Sequence, residues 1–171
     1  MPALLTLDDA RAILETDRTD AELSAIIARE EAEVIRRYGA AGDGATARSE
    51  TLLGGGVVLF LAKPLASVSG IQERPGIAHA LQAVASTYYV AWPGEGRITR
   101  LGGVWGAQVV VSYVPVDERD RYRQALIDLV RLTIERRAMR AESVAGEHSY
   151  TAPEWERERA AILRRLRFMT F

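Results

Sequence analysis

Hydrophobic positions in this 171-residue chain follow a helical period at both ends and an extended one between them, and each change of period marks an element. Thr6 with Asp9 forms a capping pattern ahead of Ala10, Ile13 and Leu14, which predicts a first helix over 7–16. Thr19 with Glu22 repeats the device and opens a helix over 20–38, where Leu23, Ile26, Ile27, Val34 and Tyr38 recur at three- and four-residue spacing. The opposite positions, Arg29, Glu30, Glu33, Arg36 and Arg37, are expected to form ion pairs facing solvent.

From Gly39 to Ala47 the glycines and polar residues predict a flexible connection, and beyond it the period becomes extended. Ser49–Leu53 and Val57–Leu61 read as two strands joined by a tight turn at Gly54-Gly55-Gly56. These glycines lack the spacing and the Lys-Ser/Thr pair of a phosphate loop. Lys63-Pro64 breaks the run. Leu65–Glu73 predicts a strand burying Leu65, Val68 and Ile71, and Arg74-Pro75-Gly76 a turn. Ile77–Ala85 reads as one or two helical turns or an elaborated loop, and Thr87–Trp92 with Gly96–Leu101 as a hairpin around Pro93-Gly94. The alternation from Gln108 to Val114 is the strongest strand signal. After Pro115, the stripe Tyr122, Leu126, Leu129, Val130, Thr133, Ile134 and Arg137 predicts a long helix over 117–139.

A polar, glycine-interrupted run from Glu142 to Tyr150 follows, and Thr151, Pro153 and Glu154 open a last short helix, about 153–167. The expected architecture is α+β: an all-helical core bundle of long helices, an inserted small antiparallel β region at about 48–114, and an extended C-terminal tail ending in a short helix. Residues 1–141 form the body and 142–171 the tail. Helices and strands do not alternate, which argues against a doubly wound parallel sheet.

Composition narrows the chemistry. Lys and Arg number 22 against 23 Asp and Glu, a net charge of -1 with a pI near 6.2, so the chain lacks the basic excess for wrapping nucleic acid. There is no cysteine, so disulfides and thiolate chemistry are excluded. His79 and His148 lie far apart with no triad or HExxH pattern beside them, and the carboxylates at Asp8-Asp9 and Asp117-Glu118 sit at helix starts, where the dipole explains them. No catalytic, cofactor or metal site is expected. No apolar run approaches a membrane span and no signal peptide is indicated, so synthesis in the cytoplasm is expected. Trp92 and Trp105, near Arg97 and Arg100, leave a small nucleic-acid-binding module as an alternative, with the aromatic rings as a stacking platform.

The tail carries the candidate interface. Tyr150, Trp155, Leu166, Phe168, Met169 and Phe171 are large anchors, and Arg159, Leu163 and Arg167 complete the set. They dock either on their own domain or on a neighbouring subunit. Ala152–Phe171 has five arginines against three glutamates, which suits a charged helix surface or complementarity to an acidic partner or a DNA backbone.

In order along the chain, Leu7–Leu14, Thr19–Leu23 and the following helix, Arg48–Thr51, Leu59–Leu61, Pro64–Val68, Gly96–Arg100, Val109–Tyr113 and Gly146–Tyr150 resemble the head-tail connector, or adaptor, family of tailed bacteriophages and phage-like particles. The resemblance spans nearly the whole chain and rests on the order of caps, turns and strand starts. It implies a structural protein of head completion, located in the virion neck, that extends the DNA channel beneath the portal. The implied partners are the portal protein, neighbouring copies in a 12-fold ring, a stopper or tail protein, and DNA passing without sequence-specific contact, with no membrane. A stopper or tail-completion role is the alternative within the same class.

Overall fold

A computed structural model describes residues 3–76, 78–142 and 152–167. The chain divides into a helical unit, built from residues up to Ala41 and from Arg119 to Arg167, and a β unit from Gly42 to Glu118.

The helical unit contains α1 (Leu7–Ile13), α2 (Asp20–Tyr38), α3 (Arg119–Glu142) and α4 (Ala152–Arg164). Thr6 caps α1 by accepting from the Asp9 N–H, and Thr19 and Glu22 form a reciprocal capping box at the start of α2. The first helix ends three residues earlier than its periodicity suggests. Arg11 explains this: its guanidinium reaches forward to the Thr16 carbonyl at 3.0 Å, to the Arg18 carbonyl and to Asp20 at 2.7 Å, which holds the chain in a tight non-helical loop. The second helix stops at Gly39, whose φ of 73° suits glycine and whose N–H still bonds the Ile35 carbonyl at 2.8 Å.

The third helix is buried on two sides. Leu126, Ile127 and Val130 pack with Leu5, Ala10, Leu14, Leu23, Ile26 and Ile27. Tyr122, Ala125, Leu129 and Leu132 pack with Val34, Ala41, Ile162, Leu163 and Leu166. One helix therefore links two clusters, which accounts for its broad apolar stripe.

The β unit holds seven strands among the described residues: β1 (Arg48–Leu53), β2 (Val58–Phe60), β3 (Leu65–Arg74), β4 (Gln82–Ala83), β5 (Tyr89–Trp92), β6 (Arg97–Arg100) and β7 (Gln108–Pro115). They form two antiparallel sheets, ordered β1-β7-β3-β4 and β2-β6-β5. Leu59, Leu61 and Ile98 from the smaller sheet side share one core with Leu65, Ile71, Val109, Val111 and Tyr113 from the larger, closed by Trp105. β7, one of the two inner strands of its sheet, alternates strictly between buried and half-buried residues, so one face enters the core.

This architecture corrects the expectation of an all-helical core bundle with a small β insertion. Two antiparallel sheets with their own hydrophobic core form a unit in their own right, and only α2 and α3 are long helices. β2, β4, β5 and β6 are only two to four residues long, too short for a clear period, so the sequence understates a core assembled by pairing strands distant in sequence. The triple glycine is also not a hairpin turn. β1 pairs with β7 and β2 with β6, so Gly54–Gly56 carries the chain from one sheet to the other. The Ile77–Ala85 stretch supplies strand β4 and is followed by a 3-10 turn over Ser86–Tyr88.

Close approach explains Gly54. A Cβ there would lie 1.6 Å from the Gly106 carbonyl oxygen, so the backbones could not keep their positions. Gly54→Ala is expected to cost about 3 kcal/mol and to lower the melting temperature by roughly 6–12 °C, measured by thermal denaturation followed by circular dichroism.

Tyr113 is buried and its hydroxyl donates to the Glu50 carboxylate, which also accepts from the Ala62 N–H at 3.0 Å. Burial, together with the Glu50 charge, pushes the phenol far above its usual range. Tyr113→Phe removes the donor while keeping the ring, and is expected to cost about 1.5 kcal/mol in urea unfolding.

Candidate assembly interface

Two regions concentrate the large side chains suited to recognition: helix α4 in the helical unit, and the small sheet of the β unit.

On α4, Trp155, Arg159, Leu163 and Leu166 recur at four, four and three residues and so share one face. That face is turned inward. Leu163 and Leu166 are buried with Ile162 against α3, and Trp155 is half-buried against the same cluster. Arg159 reaches α2, where its Nη2 lies 2.7 Å from Glu30 Oε2 and also bonds Glu33. Glu30 is 1% exposed and additionally accepts from Thr133 Oγ1 at 3.1 Å and Arg29 Nη2 at 2.8 Å. This carboxylate was expected in solvent on the charged face of its helix. It is buried because α3 and α4 supply the donors that compensate its desolvation. Burial opposes the charge of Arg159, but the Glu30 and Glu33 carboxylates outweigh it and hold the guanidinium above its ordinary value.

The structure thus brings four of the nine expected interface residues, Trp155, Arg159, Leu163 and Leu166, together inside their own helical unit. Arg167 is exposed just beyond them. Tyr150, Phe168, Met169 and Phe171 lie outside the described residues.

The β unit presents the opposite situation, large apolar side chains that remain partly exposed. In the β2-β6-β5 sheet the register aligns Val58 with Thr99 and Val90, and Phe60 with Arg97 and Trp92. The row between them, Leu59, Ile98 and Ala91, points into the core, so the two outer rows share the opposite face. Val58 is 36% exposed, Val90 38%, Phe60 40% and Trp92 40%. Thr99 Oγ1 accepts from the Trp92 indole at 3.2 Å, and the Arg97 guanidinium stacks 4.3 Å from the ring while pairing with Glu95 at 3.1 Å. These contacts set the orientation of Trp92 and pair the charge of Arg97.

The stacking platform considered for nucleic acid does not assemble. Trp105 is 1% exposed, and Arg100 pairs with Glu73 at 2.7 Å while lying over the buried Trp105 ring. The exposed sheet face itself was missed from the sequence, although a signal was present: Val57–Leu61 and Tyr89–Trp92 are apolar at consecutive positions, so a strand built from them has two apolar faces and only one can enter the core. Among the described residues, no group of three or more His, Cys, Asp or Glu is placed to hold a metal ion, and no helix is long and apolar enough to cross a membrane.

No protein-family model and no curated protein sequence matches this chain. Solved structures do match in fold over nearly its full length. A chain from the neck of an empty GTA particle, computed with C6 symmetry, superposes with a TM-score of 0.56 at 17% identity, covering 98% of this chain and 91% of its own. A chain from the neck of a native GTA particle, with C12 symmetry, gives 0.55 at 17% identity, covering 99% and 92%. A chain from the virion of a native gene transfer agent (GTA) particle gives 0.54 at 16% identity, covering 99% and 93%. The chain therefore shares its fold with these chains from GTA necks and a GTA virion.

Proposed function

We propose that this chain is a structural head-tail connector: a subunit of a ring in the neck of a phage-like virion, seated beneath the portal, extending the DNA channel and joining the head to a stopper or tail protein. The observation that carries this reading is the fold shared over 98–99% of the sequence with chains of GTA necks computed with C6 and C12 symmetry. The exposed apolar face of the β unit adds physical support, because a subunit of a permanent assembly has a partner for such a surface. The role is architectural and involves no catalysis; DNA passes through without sequence-specific contacts.

Within this reading, Arg167 and the terminal residues Phe168, Met169 and Phe171, with Tyr150, are proposed to dock on the portal. Truncation after Arg167 tests Phe168, Met169 and Phe171, and Tyr150→Ala with Arg167→Ala tests the other two, while both spare α4, whose apolar side chains belong to the core of the helical unit. The function itself is tested with particles assembled without this chain. DNA-filled heads that carry no tails, and that regain tails on addition of the purified protein, are the expected result; tailed particles formed in normal yield without it would overturn the assignment.

A further inference from the structure

We propose that the outer face of the β2-β6-β5 sheet, centred on Val58, Phe60, Val90 and Trp92, is covered by a neighbouring copy of this chain. The inference rests on the ring assignment above and names the surface that builds the ring.

Three observations favour a second copy. The first is charge: among the described residues, the one cation in the rows of this face, Arg97, is already paired with Glu95 and stacked on Trp92, so the face suits a neutral protein surface better than a phosphate. The second is organisation. Trp92 is held by the Thr99 hydroxyl on one atom and by the Arg97 guanidinium over its ring, so it meets a partner already ordered, as an interface anchor with little conformational entropy left to lose.

The third is area. These side chains expose an apolar patch on the order of 300 Å², comparable to the largest such patch on an ordinary monomer, which is often functional. It is well short of the roughly 800 Å² per partner of a free-standing complex. A contact of that size is weak as an isolated pair and becomes stable when every copy makes it twice in a closed ring. Ring closure also demands a heterologous contact, in which this face meets a different surface of the next copy.

The absence of cysteine makes the test clean, since one introduced thiol gives a single labelling site. Val90→Cys carrying a benzophenone maleimide is irradiated twice, once with the full-length protein alone at high concentration and once with portal-bearing heads of the particle that encodes it. The expected product is a covalent dimer of twice 18.8 kDa, with its adduct mapped by mass spectrometry to a surface outside β2, β5 and β6. Adding Phe60→Ser and Trp92→Ser to the labelled chain should reduce that dimer at least ~10-fold, whereas Trp92→Phe should retain it. Thermal unfolding confirms that each variant is folded.

No covalent dimer in either experiment, adducts only to the portal or DNA, or adducts joining this face to itself would overturn the proposal. Sedimentation of the unlabelled protein with heads is scored separately and distinguishes the two claims. Recruitment without the dimer removes this surface and leaves the neck role; the dimer without recruitment does the reverse.

Discussion

Trp105→Ala is expected to destabilise the β unit by about 3–5 kcal/mol, the range for removing a large buried aromatic ring. The side chain is 1% exposed and fills the core between Leu59 and Ile98 of one sheet and Val109 and Val111 of the other. Its indole N–H donates to the Val57 carbonyl at 3.1 Å, while its own backbone accepts from Gly55 at 2.9 Å and donates to Gly56 at 2.9 Å. The residue therefore fastens the crossing between the sheets as well as filling the core. Truncation leaves a cavity and frees the Gly54–Gly56 segment, whose glycines have little intrinsic conformational preference. Hydrogen exchange should accelerate across β2 and β6, and urea denaturation gives the magnitude. Trp105→Phe should recover part of the loss by refilling most of the volume.

Arg159→Ala is expected to cost about 3 kcal/mol and to loosen α4 from the helical unit. Its guanidinium neutralises Glu30 and Glu33 together, and without it the buried Glu30 keeps, among the described residues, Arg29 on the exposed edge and the Thr133 hydroxyl. Faster exchange confined to residues 154–166, together with the drop in stability, is the expected signature. Arg159→Lys should fall between, because it keeps a charge near both carboxylates but loses the guanidinium Nη2 that bonds Glu30 and Glu33 together. If Arg159→Lys were as stable as the parent, the guanidinium geometry would carry no stability beyond its charge.

Local signals were the legible part of this chain. Thr19 and Glu22 state the start of α2 in their spacing, and both hydrogen bonds of the capping box form. The Pro93-Gly94 hairpin likewise follows from turn chemistry, with Trp92 opposite Arg97 across it. What could not be read was long-range pairing: nothing local tells β1 to pair with β7, more than fifty residues away, in preference to β2 across three glycines. The size of the β unit was underestimated for that reason. Glu30 illustrates the same limit at one residue, since its helix alone places it on a charged surface and only Arg159 and Thr133, over a hundred residues on, make its burial tolerable. The candidate site divided along this line. The anchor periodicity on α4 was visible, but the direction it faces depends on partners far along the chain, and the outer face of the small sheet emerged only once β2, β5 and β6 were aligned.

The central claim, that this chain is a ring-forming neck subunit, is tested most directly by electron cryomicroscopy of portal-bearing heads with and without the purified protein, reconstructed without imposed symmetry. The account predicts an added ring of identical subunits directly beneath the portal, each fitted by the helical and β units described here. Heads that bind the protein elsewhere, or intact portals that acquire no ring at saturating protein, would contradict it.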